Sequence, residues 1–348
     1  METQKGNDMS QTAVVILNWN GLKWLQQFLG NAVAESTGEG ITVCVADNGS
    51  TDGSAEWVAA TFPAVRLIRL EKNHGFAGGY NLALSMIDAR YVVLLNSDVE
   101  VTRGWLAPIV ECLDSDPGIA ACQPKIKSFY KKDHFEYAGA AGGYIDKFGF
   151  TFCRGRIFGK VEKDLGQYDD AIDIFWASGA CMAVRKDVWE SCGGLDSSFF
   201  AHMEEIDLCW RIHAAGFRIR YIPSSVVFHA GGGAIPYESV FKTYLNFRNN
   251  LFLLYKNLPD NKLQKIITAR KLLDGVAAAR FLLMGRFGSL KAVVDAHIDF
   301  RKKTSGILIT RGHPSELPRT SPLMPCLNKS VVFEFFIKGR KTFSRLLL

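Results

Sequence analysis

The sequence predicts an α/β protein with a mainly parallel sheet flanked by helices, followed by a helical, basic C-terminal extension. Three observations carry this reading. Four strand-length apolar runs alternate with helix-like stretches within the first 100 residues, the pattern of βαβ units. Each of these runs stops on a polar or Gly-rich turn, as strands do where an α/β sheet opens onto a site. Charge is divided along the chain: residues 241–348 hold 20 Lys and Arg against 6 Asp and Glu, whereas residues 1–240 hold 21 against 29.

The first strand is predicted at 13–18, the second at 41–46, the third at 65–70 and the fourth at 91–95. Helices are expected between them at 22–34, 52–60 and 77–88. A helix opened by Thr102 should run to 114, with a strand at 119–124. Residues 128–173 are rich in Gly, Lys and Asp without clear periodicity and read as a long, pocket-shaping loop with short strands. A strand at 174–184, a helix at 203–215 and a strand at 217–222 follow. After Pro236 the pattern is helical at 237–257, 262–284 and 288–303. The boundary falls near residue 240, giving a first domain over 1–240 and a helical basic region over 241–348.

A hydrophobic fraction of 48% with 22% charged residues belongs to a folded globular chain and excludes wholesale disorder. Eight cysteines without a CxxC pair support neither a zinc ribbon nor a redox dithiol, and suggest free thiols in a reducing cytosol. The polar stretch Met1–Gln11 lacks the signature of an export signal. No apolar run approaches the roughly 18–20 residues that span a bilayer; Val276–Met284 is short and broken by Arg280. The expectation is a cytoplasmic protein, peripheral on the inner face of the membrane, because basic and aromatic residues mix in 262–303 and in the tail from Lys329. A packed helical subdomain with a solvated charged face reads equally well for 262–303. Nucleic acid is not expected as a partner, although a net +14 region would show salt-dependent DNA binding if it were one.

The polar strand ends carry the chemistry. Asn18-Trp19-Asn20-Gly21 closes the first strand, and Asp47-Asn48-Gly49-Ser50-Thr51-Asp52-Gly53-Ser54 the second. An Asx turn and helix cap explain the latter; so does an Asp47 that accepts hydrogen bonds from a base or ribose. The run from Asn73 to Asn81 opens a helix with three glycines, suited to phosphate approach, but its spacing is a poor match to a dinucleotide fingerprint. The fourth strand ends Asn96-Ser97-Asp98. Glu204, Glu205 and Asp207 form either a solvated first turn or buried, perturbed carboxyls with a catalytic task. His229 ends a strand before three glycines, where a ligand role joins the structural one.

Taken in order, VVILNWNG (14–21), VADNGSTDGS (45–54), NHGFAGGYN (73–81), LLNSDV (94–99), WASGACMAVRKDVW (176–189), GGLDSSFF (193–200), EEIDLCWR (204–211) and FHAGGG (228–233) resemble family-2 glycosyltransferases of the GT-A fold, in particular the bacterial rhamnosyltransferase-like branch. The resemblance spans residues 12–250, about two-thirds of the chain. It implies a nucleotide pocket at Asn18, Asn20 and Asp47 with Asn48, Asp52 and Asn73 beside it. It implies a diphosphate and sugar wall at Gly75, Gly79 and Asn81. Asp98 corresponds to the last acid of the family's DxD metal motif, His229 to a further metal ligand, and Glu205 to the catalytic base beside Glu204. Trp176, Ser178 and Gly179 would line the acceptor site. Two departures stand out: Asn96 replaces the first acid of DxD, and the base is Glu where the family has Asp.

The implied reaction is inverting transfer from a nucleoside diphosphate sugar, with Mg²⁺ or Mn²⁺ as cofactor. The acceptor would be a hydroxyl of a saccharide or a lipid-linked acceptor in polysaccharide assembly, beside an anionic membrane surface. By resemblance dTDP-rhamnose is the first donor and UDP-hexoses the second. A non-catalytic nucleotide-sugar-binding protein and a nucleotidyltransferase are the alternatives; Asn18–Gly21 lacks the basic phosphate loop that the latter needs.

Overall fold

A computed structural model describes residues 10–231, 239–311 and 324–347, with side chains over 11–231, 239–304 and 324–347. Gly232 and Gly233 of the FHAGGG run, the first residues of the helix expected from 237, most of Met1–Gln11 and Leu348 lie outside the described residues. The chain begins β1 (Ser10–Asn18), α1 (Leu22–Glu35), β2 (Ile41–Asp47), α2 (Ser54–Thr61) and β3 (Arg66–Arg69). It continues α3 (Gly75–Ser85), β4 (Ala89–Asn96), β5 (Val99–Val101), α4 (Ala107–Ser115) and β6 (Ile119–Ser128). Five short strands follow: β7 (Gly143–Asp146), β8 (Thr151–Cys153), β9 (Arg156–Ile157), β10 (Lys160–Val161) and β11 (Ile172–Asp173). Then come β12 (Cys181–Arg185), α5 (Lys186–Ser191), α6 (Glu204–Ala214) and β13 (Arg218–His229). Three long helices, α7 (Val240–Asn257), α8 (Asp260–Leu283) and α9 (Phe287–Arg311), precede β14 (Cys326–Leu327), α10 (Val331–Phe336) and α11 (Phe343–Leu346).

The main sheet has the order β11-β13-β6-β12-β4-β1-β2-β3, with β5 on β13. Its β3-β2-β1-β4 half is parallel, so Asn18, Asp47 and Asn96 end side by side on one edge. Val14, Val15, Val93 and Leu94 are fully buried, which is why both strands read as continuous apolar runs. On one face α1 packs Leu25, Phe28, Leu29 and Ala32, spaced for a helical stripe. The other face receives Tyr80 and Ala83 of α3 and Leu208 of α6.

The second half of the sheet is mixed. β12 enters antiparallel between β4 and β6, so the sheet is less parallel than the alternating pattern predicts. Of the apolar 174–184 segment only the part from Cys181 on is strand, within β12; the residues before it turn through the interior. The helix predicted from Thr102 starts at Ala107, because 99–101 pairs with β13 and the Thr102 hydroxyl donates to the Val226 carbonyl at 2.8 Å.

A small sheet of order β10-β9-β8-β7-β14 is completed by the tail. α10 begins where Asp146 Oδ2 accepts the Val331 amide at 2.9 Å, and Glu162 Oε1 accepts that of Phe343 at 2.9 Å. Val331, Phe343 and Leu346 are buried there, while Phe333, Phe336 and Ile337 stay exposed. No helix among the described residues is long and apolar enough to cross a membrane.

Candidate active site

The loops after β1 and β2 are knitted together by short polar side chains. Asn18 Nδ2 donates to Asp47 Oδ1 (3.2 Å), Ser50 Oγ (3.2 Å) and Ser54 Oγ (2.8 Å). Asp47 Oδ2 accepts the Ser50 amide at 3.0 Å, and the carboxylate is buried. Asn20, at φ 49°, accepts the Thr51 amide at 2.8 Å. Asp52 caps rather than opens: Oδ2 takes the Leu22 amide at 2.8 Å and Oδ1 the Ser54 amide at 3.1 Å. Burial opposes its ionisation, but these bonds hold the carboxyl below its ordinary value.

Asn48 joins this floor to the loop after β3. Its Oδ1 accepts the His74 amide at 3.0 Å, and its Nδ2 donates to Asn73 Oδ1 (3.1 Å) and the Gly75 carbonyl (3.0 Å). A Cβ on Gly79 would lie 2.9 Å from both Asn48 Nδ2 and Leu17 Cδ1, so α3 approaches this closely only with glycine there. Asn81 points elsewhere: its amide clasps the backbone of Leu195, at 2.7 and 3.0 Å.

Asp98, just past β4, meets His229 at the end of β13. Asp98 Oδ1 lies 3.2 Å from His229 Nε2, and its Oδ2 accepts the Gly231 amide at 3.1 Å. Glu136 Oε2 sits 3.3 Å from His229 Nδ1, an ion-pair contact out of line for a hydrogen bond. Burial pulls the His229 pKa down, but Asp98 and Glu136 override it and raise it to about 10. Asn96 Nδ2 is 3.5 Å from His229 Nε2.

A hard divalent ion here would have to displace the proton that Asp98 and Glu136 favour on His229. Neighbouring ligands on an octahedral ion with bonds of about 2.1 Å stand about 3.0 Å apart, close to the 3.2 Å between Asp98 Oδ1 and His229 Nε2. Among the described residues no group of three or more His, Cys, Asp or Glu could hold a metal. Asp98 and His229 would therefore need oxygens from a bound diphosphate and from water to complete the shell.

α6 presents Glu204 and Glu205 in its first turn, behind a loop of unusual backbone. Phe200, His202 and Met203 have φ of 67°, 68° and 77°, rare for side-chain-bearing residues. Glu205 is half-buried and Glu204 buried. Burial raises both carboxyls, Glu204 well above the ordinary range with Glu205 adding to it. Neither Oε2 has a hydrogen-bond partner among the described residues. Asp207 differs: its fully buried carboxylate is paired with Arg211 (2.8 Å) and Lys256 (2.8 Å) and accepts from Asn257 (2.7 Å).

Gly179 faces Glu205. A Cβ there would meet Phe76 Cζ at 3.1 Å and Glu205 Cβ at 3.9 Å. The next carbonyl, Ala180, accepts the Asn96 amide at 3.0 Å. The first turn of α6 and the end of β4 thus meet the neighbouring residues Gly179 and Ala180. Trp176 and Ser178 are buried instead; the Trp176 indole donates to the Tyr144 carbonyl at 3.1 Å, and the Ser178 amide donates to Gln123 at 2.8 Å.

Three residues that shape this site are absent from the sequence reading. Glu136 lay in the aperiodic loop. His202 is largely buried, with Nε2 unpartnered among the described residues, and desolvation lowers its pKa to about 4. Asn249 is buried in α7 and donates to the carbonyls of Phe199 (2.9 Å), Ala201 (2.8 Å) and His202 (2.8 Å). The available signal was Arg248-Asn249-Asn250, three consecutive polar residues directly before the apolar run Leu251–Leu254.

The family model described as "Glycosyl transferase family 2" matches residues 13–193. The N-acetylglucosaminyl-diphospho-decaprenol L-rhamnosyltransferase of Mycobacterium tuberculosis is 26% identical over 231 residues, 62% of this chain and 75% of that protein. Among solved structures, S. aureus TarS 1–349 in complex with UDP-GlcNAc aligns with a TM-score of 0.57 at 13% identity, covering 83% of this chain and 80% of that one. The mannosyltransferase PcManGT from Pyrobaculum calidifontis, in complex with GDP-Man and Mn²⁺, gives a TM-score of 0.51 at 17% identity over 86% of this chain and 85% of that one. These structures have the GT-A fold.

Proposed function

Because the chain belongs to glycosyl transferase family 2, we propose that it moves a sugar, with inversion, from a nucleoside diphosphate donor to an acceptor hydroxyl. dTDP-rhamnose is the first donor, supported by the rhamnosyltransferase relative. That relative's name specifies an acceptor on a diphospho-linked polyprenol, which supports a lipid-linked saccharide acceptor beside an anionic membrane surface here.

The observation that carries the reading is Glu205: a half-buried carboxyl of raised pKa, one segment away from the Asp98–His229 corner. A base poised nearer neutrality than an ordinary carboxylate is suited to taking a hydroxyl proton. Glu205 removes the acceptor proton as the hydroxyl oxygen attacks the anomeric carbon. The bond from that carbon to the diphosphate oxygen breaks on the opposite face, and the nucleoside diphosphate leaves with the electron pair. Asp98 and His229 would hold the divalent ion, which supplies Lewis-acid stabilisation of the leaving diphosphate. Asp47 and Asn18 form the floor under the base and ribose, and Gly79 lets α3 close over it.

The test is release of nucleoside diphosphate from a panel of nucleotide sugars, with Mn²⁺ or with chelator, with and without acceptor. Metal-dependent, acceptor-stimulated release supports transfer. Donor binding without turnover would instead favour a nucleotide-sugar-binding protein.

A further inference from the structure

The turn between α8 and α9 is apolar and exposed. Leu283 is 88% exposed and Phe287 65%, with Leu282 and Met284 also exposed beside them. The exposed apolar face continues down both helices. On α8 it takes Leu272 (70%) and Val276 (67%), eleven and seven residues before Leu283; on α9 it takes Val294 and Ile298, seven and eleven after Phe287. Those spacings keep each set on one side of its helix. Between the two helices lies a groove of about 670 Å³, lined by Val294 and Ile298 together with Lys271 and Arg301.

Charge selects what can cover this surface. Residues 275–294 contain Arg280, Arg286 and Lys291 and no acidic residue, and the next residue, Asp295, pairs with Lys291 at 2.6 Å, leaving Arg280 and Arg286 as the cations nearest the tip. A water-exposed hairpin tip that is both apolar and free of acids suits an anionic lipid surface, with apolar side chains entering the headgroup layer and long cations reaching lipid phosphates. A second copy of this chain would bring the same cations to face one another.

The surface is continuous with the site. Gly288 abuts Val240, since a Cβ there would fall 3.0 Å from Val240 Cγ2. The exposed Phe241 ring then lies 6.1 Å from the exposed Phe200 ring. Phe200 opens the left-handed loop that leads into Glu204 and Glu205. On the other side, Arg280 stacks 5.4 Å over the ring of Phe336, carrying the surface to exposed Phe336 and Ile337 of α10.

We propose that the α8–α9 hairpin tip docks on an anionic membrane surface and thereby presents the Phe200–Phe241 side of the base helix to acceptors held in that surface. This rests on the transferase reading for its purpose, but its test does not require turnover. The full chain is sedimented with phosphatidylglycerol vesicles and with phosphatidylcholine vesicles at low salt, without any nucleotide sugar. Wild type should pellet with the anionic vesicles only, and 0.5 M salt should release it, since charge attraction is screened. Leu283→Glu/Phe287→Glu and, separately, Arg286→Glu/Lys291→Glu should each weaken partitioning at least tenfold while keeping the wild-type circular dichroism spectrum and turnover with a water-soluble acceptor. Equal binding to both lipids, no binding by wild type, or unchanged binding by both variants would overturn the proposal. So would light scattering that shows a wild-type dimer abolished by the Leu283/Phe287 variant. Vesicle binding without any sugar transfer would overturn the enzymatic reading and leave the docking surface standing.

Discussion

The side-chain amide of Asn249 lies 2.8 Å from the carbonyl oxygen of His202, a residue held at φ 68° two positions before the acidic first turn of α6. The same amide reaches the Phe199 and Ala201 carbonyls, and Arg248 Nη2 also donates to Phe199 at 2.9 Å. α7 therefore holds the strained loop that aims Glu205. The structural cost of left-handed backbone at Phe200, His202 and Met203 is of order 1–3 kcal/mol each, so the loop keeps this shape only while the clamp is made.

Asn249→Ala should cost about 1–3 kcal/mol of stability, since buried carbonyls lose their donor. Turnover should fall more than donor KM rises, because the floor around Asp47 is untouched. Asn249→Asp, which keeps the shape but sets a buried carboxylate oxygen against three carbonyl oxygens, should cost at least as much as Ala. A circular dichroism melt with kcat and KM checks this; a melt shift with unchanged kcat would make Asn249 purely structural.

Glu204 gives a pH-dependent stability prediction. Its folded pKa lies well above the ordinary carboxyl value, with burial the main cause. Between the unfolded and folded values the native state holds a proton that the unfolded state releases. Stability is therefore present in full below the unfolded value and is lost as pH rises through the folded one. Glu204→Gln should flatten that decline and raise Tm by a few degrees at neutral and alkaline pH, with little change in acid. Melts from pH 4 to 9 decide it.

The proposed ion site at Asp98 and His229 can be weakened and reinforced. Asp98→Asn should weaken Mn²⁺ affinity on the order of tenfold or more, read as loss of the Mn²⁺-dependent melt shift in the presence of a nucleoside diphosphate. Asn96→Asp should do the opposite and make Mn²⁺ binding less dependent on the nucleotide, because Asn96 already stands 3.5 Å from His229. Unchanged metal response in both would remove Asp98 from the site.

Gly179→Ala places a methyl 3.1 Å from Phe76 and against Glu205. Turnover should drop while the melt changes by less than that of Asn249→Ala. Equal losses of stability in the two would mean that segment 179–180 is a packing element rather than part of the reacting surface.

The strand ends were readable because Ala13–Ile16 and Tyr91–Leu95 are buried on both faces, so the chain must turn polar abruptly where the sheet stops. Asn18, Asp47 and Asn96 came from that contrast. The parallel bias failed at β12, since an apolar run carries no mark of its direction. Trp176 and Ser178 read as wall residues from their motif, yet their neighbours at Tyr144 and Gln123 are distant in sequence and draw both inward. β5 and β14, at three and two residues, are too short for periodicity. Glu136 and Asn249 were not legible, because each acts on a residue 93 or about 47 positions away through tertiary packing. The hairpin residues were legible as an amphipathic mixture, but only the structure shows which apolar side chains remain uncovered: Leu283 and Phe287 do, whereas Val331 and Phe343 of the tail do not.

The most direct measurement of the central claim is turnover and donor binding by Glu205→Gln. With the base removed and its shape kept, transfer should fall on the order of 10²–10⁴-fold, while the nucleotide sugar still shifts the melt as in wild type. In wild type, turnover should decline as pH falls through the raised Glu205 value, and the residual activity of the variant should lose that dependence. Turnover near wild type in Glu205→Gln, with the acid limb intact, would contradict the assignment of Glu205 as the base.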